Sequence, residues 1–145
     1  MNRRARDNPF RVERVLQVRY RFEQVEDWDR LLQRLAALGW RGAIVGHKGA
    51  GKTTLQEDLA DRLAAQGRSI VWLRLNRENR RTAAAQLRSL LETCDSQTLI
   101  FADGAEQLGP LLWRRLKQQS LRSGCLIITT HAPGRLPTLI ERRPT

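Results

Sequence analysis

Residues 46–54 read Gly-His-Lys-Gly-Ala-Gly-Lys-Thr-Thr, and Gly46, Gly51, Lys52 and Thr53 fall on the spacing G-x-x-x-x-G-K-[ST]. Those residue types in that order suit one task, the holding of phosphate. Glycines let successive backbone N–H groups turn inward onto an anion. A helix opening at Lys52 adds the partial positive charge of its N-terminus at the same point. Lys52 brings a full charge to the outer phosphates, and the Thr53 hydroxyl is a ligand for a divalent cation such as Mg²⁺. With 10 glycines and only three lysines in 145 residues, the pattern arises by chance about once in a thousand such sequences. His47, Lys48, Gly49, Ala50 and Thr54 complete the candidate loop. The bland alternative is a glycine turn that merely caps a helix.

A magnesium–nucleotide site also needs a carboxylate near the metal. Asp103 closes the apolar run Leu99-Ile100-Phe101-Ala102, and strand ends gather around ligands in open α/β sheets. The competing reading is an Asp-Gly strand exit, a common turn pair. Three residues on, Glu106 either polarises water or is a solvated residue leading into the next helix. Tyr20, 26 positions before Gly46, either stacks on a base or packs at an edge.

The elements that must position these groups are legible as alternating patterns. Leu16, Val18, Tyr20 and Phe22 alternate with polar residues, predicting a half-exposed strand over 15–22. Trp28, Leu31, Leu32, Leu35 and Leu38 predict a helix stopped by Gly39. Strands follow at 43–45, 69–75, 98–102 and 125–129, and helices at about 52–66, 82–93 and from Pro110. Near-continuous apolar strands alternating with helices mean a parallel sheet covered on both faces. Trp28, Trp72 and Trp113 sit on apolar faces and read as core.

On these residues the chain resembles a P-loop NTPase, and within that superfamily the small ATPase class that includes AAA+ proteins. The resemblance covers about residues 42–131. It implies ATP with Mg²⁺ as cofactors and Asp103 as the Walker-B acid beside Thr53. It also implies a strand inserted between the Walker-B strand and the loop strand, ending in a polar phosphate sensor. The run 125–129 suits that strand, and Thr129, Thr130 and His131 stand at its end. Ile127–His131 also resembles the switch-histidine strand of ABC-type ATPases, but the Leu-Ser-Gly-Gly-Gln signature is missing. Two departures from the class stand out. Gly104 follows Asp103 where a catalytic Glu is usual, which leaves Glu106 as the nearest acid. Fourteen residues follow His131, too few for a lid, and Arg135 is the nearest candidate for an arginine finger. The class's fifth strand is expected to be absent after His131, and the N-terminal strand over 15–22 to fill a sheet edge instead.

Composition agrees with a globular domain: 41% hydrophobic and 28% charged residues, with two cysteines and no C-x-x-C pair. Neither a membrane span nor a charged-then-apolar secretory leader is visible, so a cytoplasmic protein without membrane contact is expected. The net charge of +11, almost all arginine, invites nucleic acid as a partner. The expected organisation is an arm over 1–10, an α/β P-loop NTPase domain over 11–131, and a loop or tail over 132–145. The domain should carry a mostly parallel sheet with helices on both faces and the N-terminal strand at an edge. The expected function is ATP binding, with slow or partner-activated hydrolysis, as a helper or switch in an assembly with a protein partner or with itself. Alternatives are a small-molecule kinase, with Arg77, Arg80 and Arg81 as lid residues, or a non-catalytic nucleotide-sensing or nucleic-acid-binding module.

Overall fold

A computed structural model describes residues 25–47 and 50–142. In chain order the elements are α1 (Val25–Ala37), β1 (Arg41–Gly46), α2 (Lys52–Ala64), β2 (Ser69–Arg74), α3 (Ala83–Glu92), β3 (Thr98–Asp103), α4 (Pro110–Gln119), β4 (Cys125–Thr130) and β5 (Thr138–Arg142). The strands form one sheet in the order β2-β3-β4-β1-β5, and every pairing is parallel. The fold is an α/β domain with one all-parallel five-stranded sheet, as the alternating pattern predicts.

Burial explains why the central strands are so apolar. β1, β3 and β4 are covered on both faces, so every side chain along them must be tolerable in a core. Their residues alternate strictly between two apolar layers. Ile44, Leu99, Phe101, Cys125 and Ile127 meet Trp28, Leu31 and Leu35 of α1 and Leu55, Leu59 and Leu63 of α2. Ala43, Val45, Ile100, Ala102, Leu126 and Ile128 meet Leu87 and Leu90 of α3 and Leu116 of α4. The chain runs one way across the sheet from β1 to β2 and the other way from β2 to β4. Right-handed crossovers therefore put α2 on one face and α3 and α4 on the other. Trp28 is buried, while Trp72 and Trp113 are half-buried against the two layers. All three lie under an arginine: Arg62, Arg74 and Arg135 respectively.

The C-terminal segment departs from the sequence reading. Residues 138–142 are not loop but β5, pairing with β1 from Ala43↔Thr138 to Gly46↔Arg142 across a register shift. A fifth parallel strand is therefore present after His131, against the expectation of its absence. It escapes pattern reading because only Leu139 and Ile140 are apolar, between Thr138 and Glu141-Arg142. The edge beside β1 belongs to β5, and the strand expected over 15–22, with Tyr20, lies outside the described residues. Among the described residues no helix is long and apolar enough to cross a membrane.

Candidate functional site

Parallel pairing brings the C-terminal ends of β1, β4, β3 and β2 side by side, and the candidate residues gather there. From β1 the chain enters the glycine loop. Gly46 has no room for a side chain: a Cβ there would sit 2.5 Å from the Arg142 carbonyl oxygen of β5. Gly51 precedes α2 with φ of 84°, the left-handed region that favours glycine. Between them the Ala50 N–H donates to the His47 carbonyl, and Ala50 is buried. Lys48 and Gly49 lie outside the described residues.

Lys52 opens α2, is nearly buried at 9% exposure, and donates from Nζ to the His47 carbonyl at 2.9 Å. Burial pulls its ammonium below the ordinary lysine value, while Glu106 and then Asp103 act to raise it. Both acids are therefore close enough to be felt by that charge. Thr53 donates its hydroxyl hydrogen to the Asp103 carboxylate, with Oδ2 at 3.1 Å and Oδ1 at 3.2 Å. Thr54 is exposed.

β4 adds the third side. Thr129, 1% exposed, donates its hydroxyl to Asp103 Oδ1 at 2.7 Å and accepts the Gly104 N–H at 2.8 Å. It thereby orients the carboxylate and the turn that follows it. Thr130 is spent elsewhere, closing a local turn with Ala132. His131 Nε2 lies 3.5 Å from Glu106 Oε2, and Glu106 Oε1 is buried with no hydrogen-bond partner among the described residues.

The glycine after Asp103 has a steric cause. Gly104 sits at φ of 85°, and a Cβ there would lie 2.3 Å from the Leu75 carbonyl oxygen. No glutamate fits where the class usually carries one. The short helical turn Ala105–Gln107 then carries Glu106 back beside His131 and within reach of the Lys52 charge. Arg135 fixes that turn: it donates to the carbonyls of Ala105 at 2.8 Å and Leu108 at 2.9 Å and lies over Trp113. With its guanidinium committed in cis, Arg135 is a clamp on the Glu106 turn and not a free finger.

Pattern reading passed over two further residues. Gln56, fully buried in α2, donates to the carbonyls of Ala102 at 3.3 Å and Ile127 at 3.0 Å. It ties the helix behind the loop to β3 and β4. Its signal was a polar residue beside Leu55 in the Leu55-Leu59-Leu63 stripe. Arg74 ends β2 in register with Asp103 at the end of β3. Its signal was a charge closing an apolar strand, as Asp103 closes another.

The residues present suit a magnesium-bound nucleoside triphosphate. Thr53 and Asp103 supply hard oxygen donors within hydrogen-bond distance of each other, and a buried lysine stands beside them. Among the described residues no group of three His, Cys, Asp or Glu forms a metal cage. A small oxygen-seeking ion held partly by phosphates and water needs no such cage.

No protein-family model matches the chain, and no curated protein matches it. Among solved structures, that of C. elegans PCH-2, an AAA+ ATPase, superposes with a TM-score of 0.50 at 17% identity. The match covers 82% of this chain and 41% of that one. At that identity the likeness speaks to the fold: this chain resembles an AAA+ domain and spans less than half the length of PCH-2.

Proposed function

We propose that the chain binds Mg²⁺–ATP at the loop between β1 and α2 and acts as a slow, partner-activated ATPase, a helper or switch within a larger assembly. The observation that carries this reading is the convergence of Thr53 and Thr129 on the Asp103 carboxylate, next to buried Lys52. In it, Lys52 and the loop N–H groups hold the outer phosphates, and Asp103 with Thr53 holds the cation. The cation would neutralise charge that develops on the phosphates. Glu106 polarises a water through Oε1, which takes no hydrogen bond among the described residues. Slow turnover follows from the committed Arg135, since an arginine supplied from outside is worth about 10³–10⁵ in rate. The test is thermal: Mg²⁺–ATP at about 100 times its dissociation constant stabilises the wild type by about 2.7 kcal/mol. Lys52→Ala should lose that shift, and an unchanged shift would overturn the reading.

A nucleic-acid partner is favoured by one specific feature. The turn after β2 is locked by reciprocal hydrogen bonds between Asn76 and Asn79, and Asn79 also donates to the Arg74 carbonyl. It presents Arg77, Arg80 and Arg81, all exposed, and among the described residues no carboxylate pairs with them. A rigid arginine turn suits phosphodiester contact without base reading. Binding should weaken with salt at a slope of about −0.9 per phosphate contact on duplex DNA. Replacing the three arginines by alanine should flatten that slope. No DNA or RNA binding at about 50 mM salt would retire the idea.

A further inference from the structure

The Asp103 carboxylate has two claimants on one oxygen. Oδ2 lies 3.1 Å from the Thr53 hydroxyl and 3.7 Å from Nη1 of Arg74. The guanidinium is half-exposed and has two other supports. Its Nη2 is 3.1 Å from Glu57 Oε2 on α2, and its Cζ lies over the Trp72 ring, 4.0 Å from the centroid. Loss of the Asp103 contact therefore leaves Arg74 anchored by its shorter ion pair and its aromatic seat. Strand register makes the encounter unavoidable, because Arg74 and Asp103 are partners across β2 and β3.

We propose that Arg74 is a metal gate: it competes with the divalent cation for Asp103 and retreats onto Glu57 and Trp72 when the cation arrives. This rests on the Mg²⁺–ATP reading above. A dication between Thr53 and Asp103 faces a guanidinium of like charge, so each weakens the other's hold on Oδ2. Free Mg²⁺ brings only positive charge and is disfavoured. A cation carried on nucleotide phosphates brings compensating negative charge and is admitted. Arg74 thus selects the metal–nucleotide complex over the bare metal. Glu57 sets the balance, because it determines how readily Arg74 lets go.

The experiment is Mn²⁺ binding to the full chain, followed by electron paramagnetic resonance, with and without a non-hydrolysable ATP analogue. Arg74→Gln should tighten Mn²⁺ about three- to tenfold in the absence of nucleotide, and by less in its presence. Glu57→Gln should weaken it, and by clearly less in the Arg74→Gln background, since Glu57 acts mainly through Arg74. Arg74→Lys, which keeps the charge, should hold the wild-type value and guards against a folding artefact. If Asp103→Asn abolishes Mn²⁺ binding but Arg74→Gln leaves it unchanged, the gate is wrong and the metal site stands. If Glu57→Gln weakens Mn²⁺ as much in the Arg74→Gln background as in the wild type, Glu57 does not act through Arg74 and the gate is again wrong. If the wild type shows no Mn²⁺ binding even with nucleotide, the metal reading falls and the gate falls with it.

Discussion

The loop after β1 and the turn after β3 face the same site and are built on different principles. The loop takes its shape from its own backbone. Gly51 is left-handed, the Ala50 N–H and Lys52 fold back on the His47 carbonyl within five residues, and only Gly46, at the mouth of the loop, meets a distant group, the Arg142 carbonyl. The turn takes its shape from distant parts of the chain. Thr129 holds its first N–H, Leu75 excludes a side chain at Gly104, and Arg135 grips the carbonyls of Ala105 and Leu108. Holding phosphate is a task for a compact stretch of N–H groups. The turn is set instead by groups from several parts of the chain: the Thr129 hydroxyl of β4, the Leu75 backbone carbonyl just after β2 and the Arg135 guanidinium before β5.

That contrast can be broken first at Glu106. If the turn exists to aim this acid, Glu106→Gln should keep ATP binding and lose whatever turnover the isolated chain has. General-base catalysis is worth about 10²–10⁴-fold. Basal turnover itself is expected well below about 1 s⁻¹, the low end for typical enzymes. Brisk, concentration-independent hydrolysis by the monomer would show a site complete without help. Equal turnover in wild type and Glu106→Gln would make the acid a bystander.

A second test asks whether the turn depends on distant packing. Restoring the class's usual acid with Gly104→Glu should not speed hydrolysis. It forces a side chain into the left-handed region and onto the Leu75 carbonyl, and should cost about 2–4 kcal/mol of stability. Denaturant melts beside a turnover assay read both effects, and a stable, faster Gly104→Glu would refute the steric account.

The smallest effect sharpens the loop's side of the comparison. Burial holds the Lys52 pKa below its ordinary 10.5, so between the lowered native value and 10.5 the unfolded chain binds more protons than the native one. Stability should therefore rise with pH through that window. Lys52→Met removes both the charge and that rise. In the ligand-free state it should melt slightly higher than wild type at neutral pH, although it no longer responds to ATP. A melting profile of Lys52→Met that climbs with pH as the wild type's does would assign the dependence to another group.

By itself the sequence determined whatever depends on a contiguous stretch. The 46–54 motif and the helix that opens at Lys52 are legible because the residue types that define them are adjacent in the chain. The central strands are recognisable because burial on both faces demands unbroken apolar runs. Tertiary structure decided the rest. β5 has two apolar residues and becomes a strand only because β1 offers an unpaired edge, as Ala43 donating to the Pro137 carbonyl shows. Gly104 is a glycine because Leu75, 29 residues earlier in the chain, places its carbonyl where a Cβ would be. Arg135 reads as a candidate finger until its two carbonyl partners are seen. Arg74 meets Asp103 through the register of β2 on β3. A one-residue slip turns a side chain to the opposite face of the sheet, and no local pattern around either residue encodes that register.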